Sequence, residues 1–470
     1  MTKKSIFSLL LLTASIVNLQ AQDKFIPSIW EGKLMGLRLV LKIDEDATSK
    51  QPVAVFDSPD QGAFGLKVSK LNITDDSLSA FSSQINGGFK GAFNKDKTEL
   101  EGAWNQGTAI PFVMKRVSQA SALKRPQTPV APFPYTEEKL TYQNATNTVK
   151  YGATLTVPNV KGNVPVVILI SGSGQQDRDA TIFGHKPFLV IADYLSRNGI
   201  AVLRVDDRGV GETTGEVTSA TSKDFAYDVL AGVAYLKSRQ DMDSQKIGLI
   251  GHSEGGLIAP LVATLSKDIA FIVSLAGPGI SGSEILRKQT NHLFKQQGLS
   301  EAEILTFQEL QETLNKLSEK YSDNSELKPI FQETMKNWLA NQSEATLFKL
   351  GFSGPNADKA IDQMAAFYFL PWTRFFRAYD PAVTLAKIKI PFLALNGGKD
   401  TQVLAKENLA GFEQHLRIAG NKNFKTMAFP ELNHLFQHAV TGEVGEYSTI
   451  EETFDPMVLE TMVTWIKSLK

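Results

Sequence analysis

The sequence has no cysteine and only 6 histidines in 470 residues. The absence of cysteine excludes disulfide bonds, thiolate metal sites, iron–sulfur clusters and a cysteine nucleophile, and so few histidines make a histidine-rich metal cluster unexpected. An excess of charge is also missing, because 49 lysines and arginines are balanced by 50 aspartates and glutamates. A chain without an excess of positive charge is not expected to be a general nucleic-acid-binding protein.

The hydrophobic run near the start of the chain is too short to span a membrane. Residues 6–17 form an apolar stretch of 12 residues, whereas a membrane-spanning helix needs about 20. Lys3 and Lys4 precede the stretch, and Leu-Gln-Ala at residues 19–21 resembles a small-residue cleavage site. This pattern predicts a secretory signal peptide over residues 1–21 and no transmembrane anchor. We therefore expect an exported protein, either periplasmic or extracellular.

The composition is that of a globular protein, with 42% hydrophobic and 21% charged residues and enough length for two or three domains. Short segments of strand periodicity fill residues 22–117, and in residues 37–43 every second residue is Leu or Ile. Turn residues such as Asn-Gly-Gly at 86–88 separate these segments. The pattern predicts a small antiparallel β domain, either a barrel or a strongly curved sheet. Four prolines within residues 118–134 then indicate a semi-rigid linker.

Strand and helix patterns alternate from about residue 135 onward. Residues 164–170 form a continuous apolar run, which is typical of a strand buried on both faces of a parallel sheet. The alternation predicts an α/β fold with a doubly wound, mostly parallel sheet. Helical patterns with few strand signals fill residues 279–383, so we expect a helical cap inserted into a domain of residues 135–470. The predicted strands are residues 164–170, 200–205, 246–250, 271–276, 391–396 and 424–429.

Residues 251–255 read Gly-His-Ser-Glu-Gly and match the motif G-x-S-x-G. A predicted strand ends just before the motif, and a predicted helix over residues 255–266 follows it. A sharp strand-to-helix turn needs small residues beside the serine, and it lifts the serine hydroxyl above the sheet. We therefore identify Ser253 as the candidate nucleophile. The alternative is a glycine-rich turn that contains an incidental serine.

A serine hydroxyl needs a base to become a nucleophile, and in a fold of this type the acid and then the base follow the serine in loops after strands. Asp400 lies in the loop after the predicted strand 391–396, and His434 follows the predicted strand 424–429. Their order and positions predict Asp400 as the acid and His434 as the base.

Other residues remain alternatives for these two roles. His438 is the second candidate for the base, and Glu431 and Asp455 compete for the role of the acid. His434 itself can also be interpreted as an ordinary histidine of a surface loop. His252 lies inside the motif, so its side chain is expected to point away from the serine.

Acyl transfer needs hydrogen-bond donors where the carbonyl oxygen becomes negative. The backbone N–H of Glu254, directly after the serine, is the expected first donor. The loop after the strand 164–170 reads Ser-Gly-Ser-Gly, and we assign the second donor to the backbone N–H of Ser173, with Gly174 as the alternative. A dinucleotide-binding loop is not expected here, because Asp177 stands at the third glycine position of G-x-G-x-x-G.

Taken together, these residues resemble the α/β-hydrolase superfamily. The resemblance rests on residues 251–256, Asp400 and His434 in the family's order, and on the loop 171–174. Residues 204–211 resemble a turn common in the esterase and serine-aminopeptidase-like members. In the family, the loop that corresponds to residues 171–174 usually begins with His-Gly, whereas in this chain it begins with Ser-Gly.

The resemblance covers about residues 135–470, within which residues 279–383 resemble a helical cap. Residues 22–117 resemble the small β domains that precede secreted bacterial hydrolases of this kind. The resemblance implies hydrolysis of a carboxylic ester of a small molecule through an acyl-enzyme intermediate. It also implies that neither a metal nor an organic cofactor takes part.

The late part of the predicted cap is rich in aromatic residues, among them Phe369 and Trp372. If the cap overlies the serine, these two side chains are candidates for an apolar acyl or aryl pocket. The alternative is that they pack the cap against the sheet. Asp206 and Arg208, in the loop 204–211, are expected to fix that loop beside the site and to be structural.

Two further functions remain alternatives. A serine exopeptidase would share the fold, but it needs acidic side chains that bind the substrate amine, and no paired acidic motif stands out. In the second alternative the β domain binds a glycan, a lipid or a surface, and the hydrolase activity is secondary.

Overall fold

The computed structural model describes residues 27–469 except 36, 62, 108, 122, 123, 355 and 356. The predicted signal peptide, residues 1–21, lies outside the described residues. The described residues form two compact units, one within Met1–Ala122 and the other within Leu123–Lys470. In the described part, no helix is both long enough and apolar enough to cross a membrane.

The first unit is one antiparallel sheet of nine strands in the order β4-β3-β2-β1-β9-β8-β7-β6-β5. Its core is formed by large side chains on one face, including Trp30, Phe56, Phe89 and Trp104, which are at most 3% exposed. The order places β4 and β5 at the two ends of the sheet, and the described part of the unit is a strongly curved antiparallel sheet, as predicted. The strands are β1 (Ser28–Leu34), β2 (Leu37–Glu45), β3 (Pro52–Ser58), β4 (Ala63–Lys67), β5 (Lys70–Ile73), β6 (Ser77–Ser82), β7 (Gly87–Phe93), β8 (Glu99–Asn105) and β9 (Ala109–Val117).

The second unit is built on a sheet of eight strands in the order β10-β11-β13-β12-β14-β15-β16-β17. β11 is antiparallel to both of its neighbours, β10 and β13, and the remaining pairs are parallel. The sheet is therefore doubly wound and mostly parallel, as predicted. Its strands are β10 (Tyr135–Gln143), β11 (Lys150–Pro158), β12 (Val164–Ile170), β13 (Ala201–Val205), β14 (Met242–His252), β15 (Ile269–Leu275), β16 (Phe392–Gly397) and β17 (Phe424–Phe429).

Helices cover both faces of this sheet. α1 (Pro187–Arg197) and α12 (Pro456–Ser468) pack on one face, and α2 (Ser222–Ser238), α3 (Gly255–Leu265) and α11 (Ala405–Ile418) pack on the other. The two faces explain the continuous apolar run of β12, because successive side chains of a strand point to opposite sides. Val167 and Leu169 belong to the core on the side of α1 and α12. Val166, Ile168 and Ile170 belong to the core on the side of α2, α3 and α11.

A block of helices separates β15 from β16 and corresponds to the predicted cap. It has its own hydrophobic core, in which Leu314, Phe331 and Met335 are fully buried. Its helices are α4 (Gly282–Gln296), α5 (Glu301–Lys320), α6 (Asn324–Leu339), α7 (Glu344–Lys349), α8 (Ala357–Phe369), α9 (Pro371–Ala378) and α10 (Pro381–Leu385).

Candidate active site

Ser253 lies in the sharp turn between β14 and α3. Its φ is +54°, a conformation that residues other than glycine rarely adopt. The turn is fixed on both sides of Ser253: its N–H donates to the carbonyl oxygen of Leu275 at 2.8 Å, and its own carbonyl accepts the N–H of Gly256 at 2.8 Å. A serine held in this strained strand-to-helix turn has the backbone geometry of a nucleophile elbow.

The glycines of the motif are required by the close approach of strand and helix. A Cβ atom on Gly251 would collide with the carbonyl group of Gly255, and a Cβ atom on Gly255 would collide with the carbonyl group of Ile170. A larger residue at either position would therefore push α3 away from the sheet. The motif G-x-S-x-G follows from this packing as well as from the turn itself.

Asp400 and His434 lie side by side in the loops that follow β16 and β17. The Nδ1 atom of His434 is 2.7 Å from Oδ2 of Asp400, and both residues are at most 4% exposed. The other carboxylate oxygen of Asp400 accepts the backbone N–H groups of Gln402 and Val403, each at 2.8 Å. The carboxylate is thus fixed in a position that keeps the proton of a neutral His434 on Nδ1 and leaves Nε2 as an acceptor.

Ser253 and His434 are linked through His252. Within the described part of the chain, the hydroxyl of Ser253 has no hydrogen bond to the ring of His434. The Nε2–H group of His252 instead donates to the backbone carbonyl of His434 at 2.9 Å, and the two imidazole rings are 4.8 Å apart. This contact with the candidate base was not expected from the sequence, because only the fold brings together residues 182 positions apart.

The His252 ring is neutral at physiological pH. Burial and, to a smaller extent, the neighbouring His434 lower the pKa of His252 to about 3. A neutral His252 supports the loop of the candidate base without adding a positive charge beside it, so a proton transferred to His434 meets no repulsion from this side.

The alternative acids and the alternative base have separate contacts. Glu431 is exposed and pairs with Lys399 at 2.6 Å. Asp455 caps the N-terminus of α12, and the exposed His438 is 2.9 Å from Glu452. Donor atoms of His438, Glu452 and Asp455 lie within 4.8 Å of one another, which is the spacing of a metal-ligand group among the described residues. The hydrogen bond between His438 and Glu452 and the role of Asp455 as the cap of α12 explain why these three residues lie together.

The loop after β12 passes close to Ser253 and is held by Asp207. The carboxylate accepts the hydroxyl of Ser171 at 2.6 Å and the N–H of Gln176 at 2.9 Å, and burial raises the pKa of Asp207 to about 7. A Cβ atom on Gly172 would lie 3.0 Å from the Cβ atom of Ser253. Glycine at this position therefore lets the loop approach the candidate nucleophile.

The loop after β13 is fixed by two ion pairs, as predicted from Asp206 and Arg208. Asp206 binds Arg178 at 2.6 Å, and Arg208 binds Asp228 at 2.6 Å. The hydroxyl of Tyr151 also donates to Asp228, at 2.5 Å. These contacts join β11, α2 and the loops at one edge of the site and support a structural role for the two residues.

The carboxylate of Glu254 is buried behind Ser253 at the start of α3, where it is 2% exposed. It accepts the hydroxyl of Ser222 at 2.6 Å and the indole N–H of Trp372 at 2.8 Å. The side chain of Ser173 also lies beside this carboxylate and helps to stabilise its charge. Burial raises the pKa of Glu254, and its hydrogen bonds oppose that shift.

A cavity of about 460 Å³ lies beside the loop 171–174. Trp372 and Leu370 from the cap form part of its wall, together with Phe225 and Val229 of α2. Polar groups of Asp207, Arg208 and Asp228 also face the cavity, which is otherwise mostly apolar.

The two aromatic residues predicted for a substrate pocket have different environments. Trp372 lines the cavity, whereas the ring of Phe369 packs against Phe331, with centroids 5.6 Å apart, in the core of the cap. For Phe369 this contact favours the packing alternative. Phe369 ends α8 and Trp372 lies in the next helix, so adjacent positions in the sequence point to different surroundings.

The order of the eight-stranded sheet, the serine turn after β14 and the interrupting helical cap define an α/β-hydrolase, which confirms the predicted fold and superfamily. The family described as X-Pro dipeptidyl-peptidase (S15 family) matches residues 147–419, more than half of the chain. The chain therefore belongs to this family. The matched region contains Ser253 and Asp400 and ends before His434.

Similar proteins include hydrolases from several organisms. Esterase EstD of Thermotoga maritima is 29% identical over 316 residues, a match that covers 66% of this chain and 64% of that protein, less than two thirds of its length. Among solved structures, an esterase of Pyrococcus furiosus has a TM-score of 0.41 at 18% identity and covers 66% of this chain and 89% of its own. A dienelactone hydrolase from Anabaena variabilis has a TM-score of 0.38 at 15% identity and covers 72% of this chain and 99% of its own.

Proposed function

We propose that the protein is a serine hydrolase that cleaves carboxylic esters of small molecules through an acyl-enzyme intermediate. The observation that carries the proposal is the combination of Ser253 in a strained turn with the buried His434–Asp400 pair at the neighbouring strand ends. The similarity to a protein named as an esterase supports ester chemistry.

In the proposed mechanism, the hydroxyl of Ser253 attacks the ester carbonyl while Nε2 of His434 takes up its proton. Asp400 keeps the His434 ring oriented and stabilises the imidazolium that forms. His434 then donates the proton to the leaving alkoxide, and water repeats the same steps on the acyl-enzyme. The hydrogen bond from Ser253 to His434 is expected to form when substrate is bound, because catalytic hydrogen bonds are often long in free enzymes.

We assign the oxyanion hole to the backbone N–H groups of Glu254 and Ser173, with Gly174 as the alternative to Ser173. Two observations support this assignment: Glu254 follows the nucleophile at the start of α3, and Gly172 brings the loop of Ser173 close to Ser253. Donors that are fixed before the reaction stabilise the developing charge without reorganisation.

The cavity beside this loop is proposed to bind an apolar acyl or aryl group. Its wall includes the indole of Trp372 and the side chains of Leu370, Phe225 and Val229. No metal and no organic cofactor is required by the proposed chemistry, because the nucleophile, the base, the acid and the oxyanion donors are all supplied by the chain. We further propose that residues 1–21 direct export of the protein.

A serine peptidase is the second candidate, and the family membership favours it. The same serine, histidine and aspartate would attack an amide in place of an ester. Buried carboxylates do lie near the site, but those of Asp207 and Glu254 have hydrogen-bond partners within the protein. We therefore rank ester hydrolysis first.

The test is an assay of the purified protein on p-nitrophenyl esters of graded acyl length and on the p-nitroanilide of an X-Pro dipeptide. We expect turnover of the esters, and a reduction of kcat by about 10⁴-fold or more in Ser253→Ala. Turnover of the anilide alone would establish the peptidase instead. A Ser253→Ala variant with half of the activity would refute the assignment of the nucleophile.

A further inference from the structure

Glu254 supplies a buried carboxylate that the proposed mechanism does not use. Only its backbone N–H has a role there, yet its side chain is 2% exposed and lies directly behind the nucleophile. A carboxyl group in such a place is costly unless hydrogen-bond donors compensate for the lost water. The donors found here are therefore necessary to its burial.

The groups around this carboxylate come from three separate parts of the second unit. Ser222 is the first residue of α2, Trp372 belongs to α9 of the cap, and Ser173 lies in the loop after β12. The hydroxyl of Ser222 and the indole N–H of Trp372 both donate to Oε1, and the side chain of Ser173 lies beside the carboxylate. One carboxylate thus binds the nucleophile turn to the cap and faces the loop that supplies the second proposed oxyanion donor.

The loop of Ser173 is held by one side-chain anchor and faces a second carboxylate. Asp207 binds the loop through Ser171, and the carboxylate of Glu254 lies beside Ser173. The same Glu254 carboxylate accepts the indole N–H of Trp372 from α9 of the cap. The loop of Ser173 and the docked α9 therefore meet at one side chain.

We propose that the side chain of Glu254 is a positioning residue that holds Ser173 and Trp372 in place, so that the loop of the second oxyanion donor and the cap wall of the neighbouring cavity are assembled together. This inference rests on the proposed ester hydrolysis. One side chain thereby aligns the backbone N–H of Ser173 and places Trp372 in the wall of the pocket.

Substitutions at Glu254 separate this role from that of its backbone N–H, which every variant retains. Glu254→Leu removes the acceptor of the indole N–H of Trp372 and of the hydroxyl of Ser222, and it removes the carboxylate beside Ser173. Glu254→Gln keeps an acceptor for Ser222 and Trp372, and its amide can donate to the hydroxyl of Ser173. The glutamine variant is therefore the conservative rescue of the leucine variant.

Two further variants separate the branches of the proposed network. Ser173→Ala breaks the link to the oxyanion loop, and Trp372→Phe removes the indole N–H but keeps an aromatic ring beside Phe376, on which Trp372 stacks at 5.2 Å. Ser196→Ala is the matched control, because it removes a buried serine hydroxyl that donates to Thr156 at 2.7 Å on the α1 side of the sheet.

The experiment measures kcat and KM for p-nitrophenyl acetate and octanoate, and inhibition by an alkyl trifluoromethyl ketone, whose adduct needs the oxyanion hole. We expect Glu254→Leu to lower kcat by about 30-fold or more on both esters and to weaken the ketone, since loss of one oxyanion donor costs about 10²- to 10³-fold. The kcat of Glu254→Gln should be at least about tenfold higher than that of Glu254→Leu. Ser173→Ala should lower kcat with little change in KM.

Trp372→Phe should raise KM for the octanoate more than for the acetate, and its effect should be smaller when Glu254 is already leucine, because the two residues share one hydrogen bond. Ser196→Ala should change thermal stability only. Unchanged kcat and ketone affinity in both Glu254→Leu and Ser173→Ala, with Ser253→Ala inactive, would overturn this inference and leave the proposed function intact. If Glu254→Leu does not fold, an unchanged kcat in Ser173→Ala overturns it alone.

Discussion

The exchange of Asp400 for asparagine gives the sharpest prediction about the candidate triad. The asparagine carbonyl can still accept the N–H groups of Gln402 and Val403, which now bind Oδ1 at 2.8 Å. The asparagine NH₂ group then faces Nδ1 of His434, which the carboxylate now contacts at 2.7 Å. Two donors cannot face each other, so His434 must carry its proton on Nε2 and can no longer act as the base.

The expected loss of kcat is about 10⁴-fold, which corresponds to about 5.5 kcal/mol of transition-state stabilisation. The fold should be retained, since the asparagine has the same shape and keeps both backbone contacts. The assay is the steady-state hydrolysis of a p-nitrophenyl ester, with Glu431→Gln as the matched control, because this neighbouring carboxylate pairs with Lys399 on the surface. A kcat within about tenfold of the original in Asp400→Asn would refute the reasoning.

Three further predictions concern the pocket, acid stability and the cap. Trp372→Ala should remove apolar surface from the wall of the cavity and, like Trp372→Phe, disfavour the octanoate relative to the acetate, and an unchanged chain-length profile would contradict the assignment of Trp372 to the pocket. His185 is fully buried, and burial lowers its pKa to about 4, so its neutral form stabilises the fold above pH 6.5 and this contribution is lost as the pH falls toward 4. The free energy of unfolding, measured by urea denaturation, should rise with pH over that range. This slope should be smaller in His185→Gln by up to about 1.4 kcal/mol per pH unit, and an equal slope in the two proteins would count against the prediction. Phe331→Ala should destabilise the cap by about 3–5 kcal/mol, and hydrogen exchange should show the loss in α5, α6 and α8 while the strands of the first unit remain protected; uniform loss of protection would speak against a separate cap core.

The parallel strands could be predicted because burial on both faces leaves a continuous apolar run, as in β12. The hairpin of β10 and β11 was not predicted as a pair of strands, because β10 lies at the edge of the sheet. Only Tyr135 and Tyr142 of its nine residues are buried, and six of the seven other residues, which are exposed or half-buried, are polar, so the apolar alternation of a strand is weak.

The positions of Asp400 and His434 were predicted from topology alone, since both follow strands that end at the same edge of the sheet. Contacts between distant segments could not be predicted in this way. The bond between Glu254 and Trp372 joins residues 118 positions apart, and it depends on how α9 docks. The same limit explains Phe369, whose place in the core of the cap is decided by the packing of α8 against α6.

The most direct test of the central claim is to identify the residue that reacts covalently. The protein is treated with a fluorophosphonate, digested, and analysed by peptide mass spectrometry, with Ser253→Ala and Asp400→Asn treated in parallel. We expect a single phosphonyl adduct on Ser253, no adduct in Ser253→Ala, and much slower labelling of Asp400→Asn because His434 cannot activate the serine. An adduct on another serine, or equal labelling of Ser253→Ala, would contradict the claim that Ser253 is the nucleophile of this α/β-hydrolase.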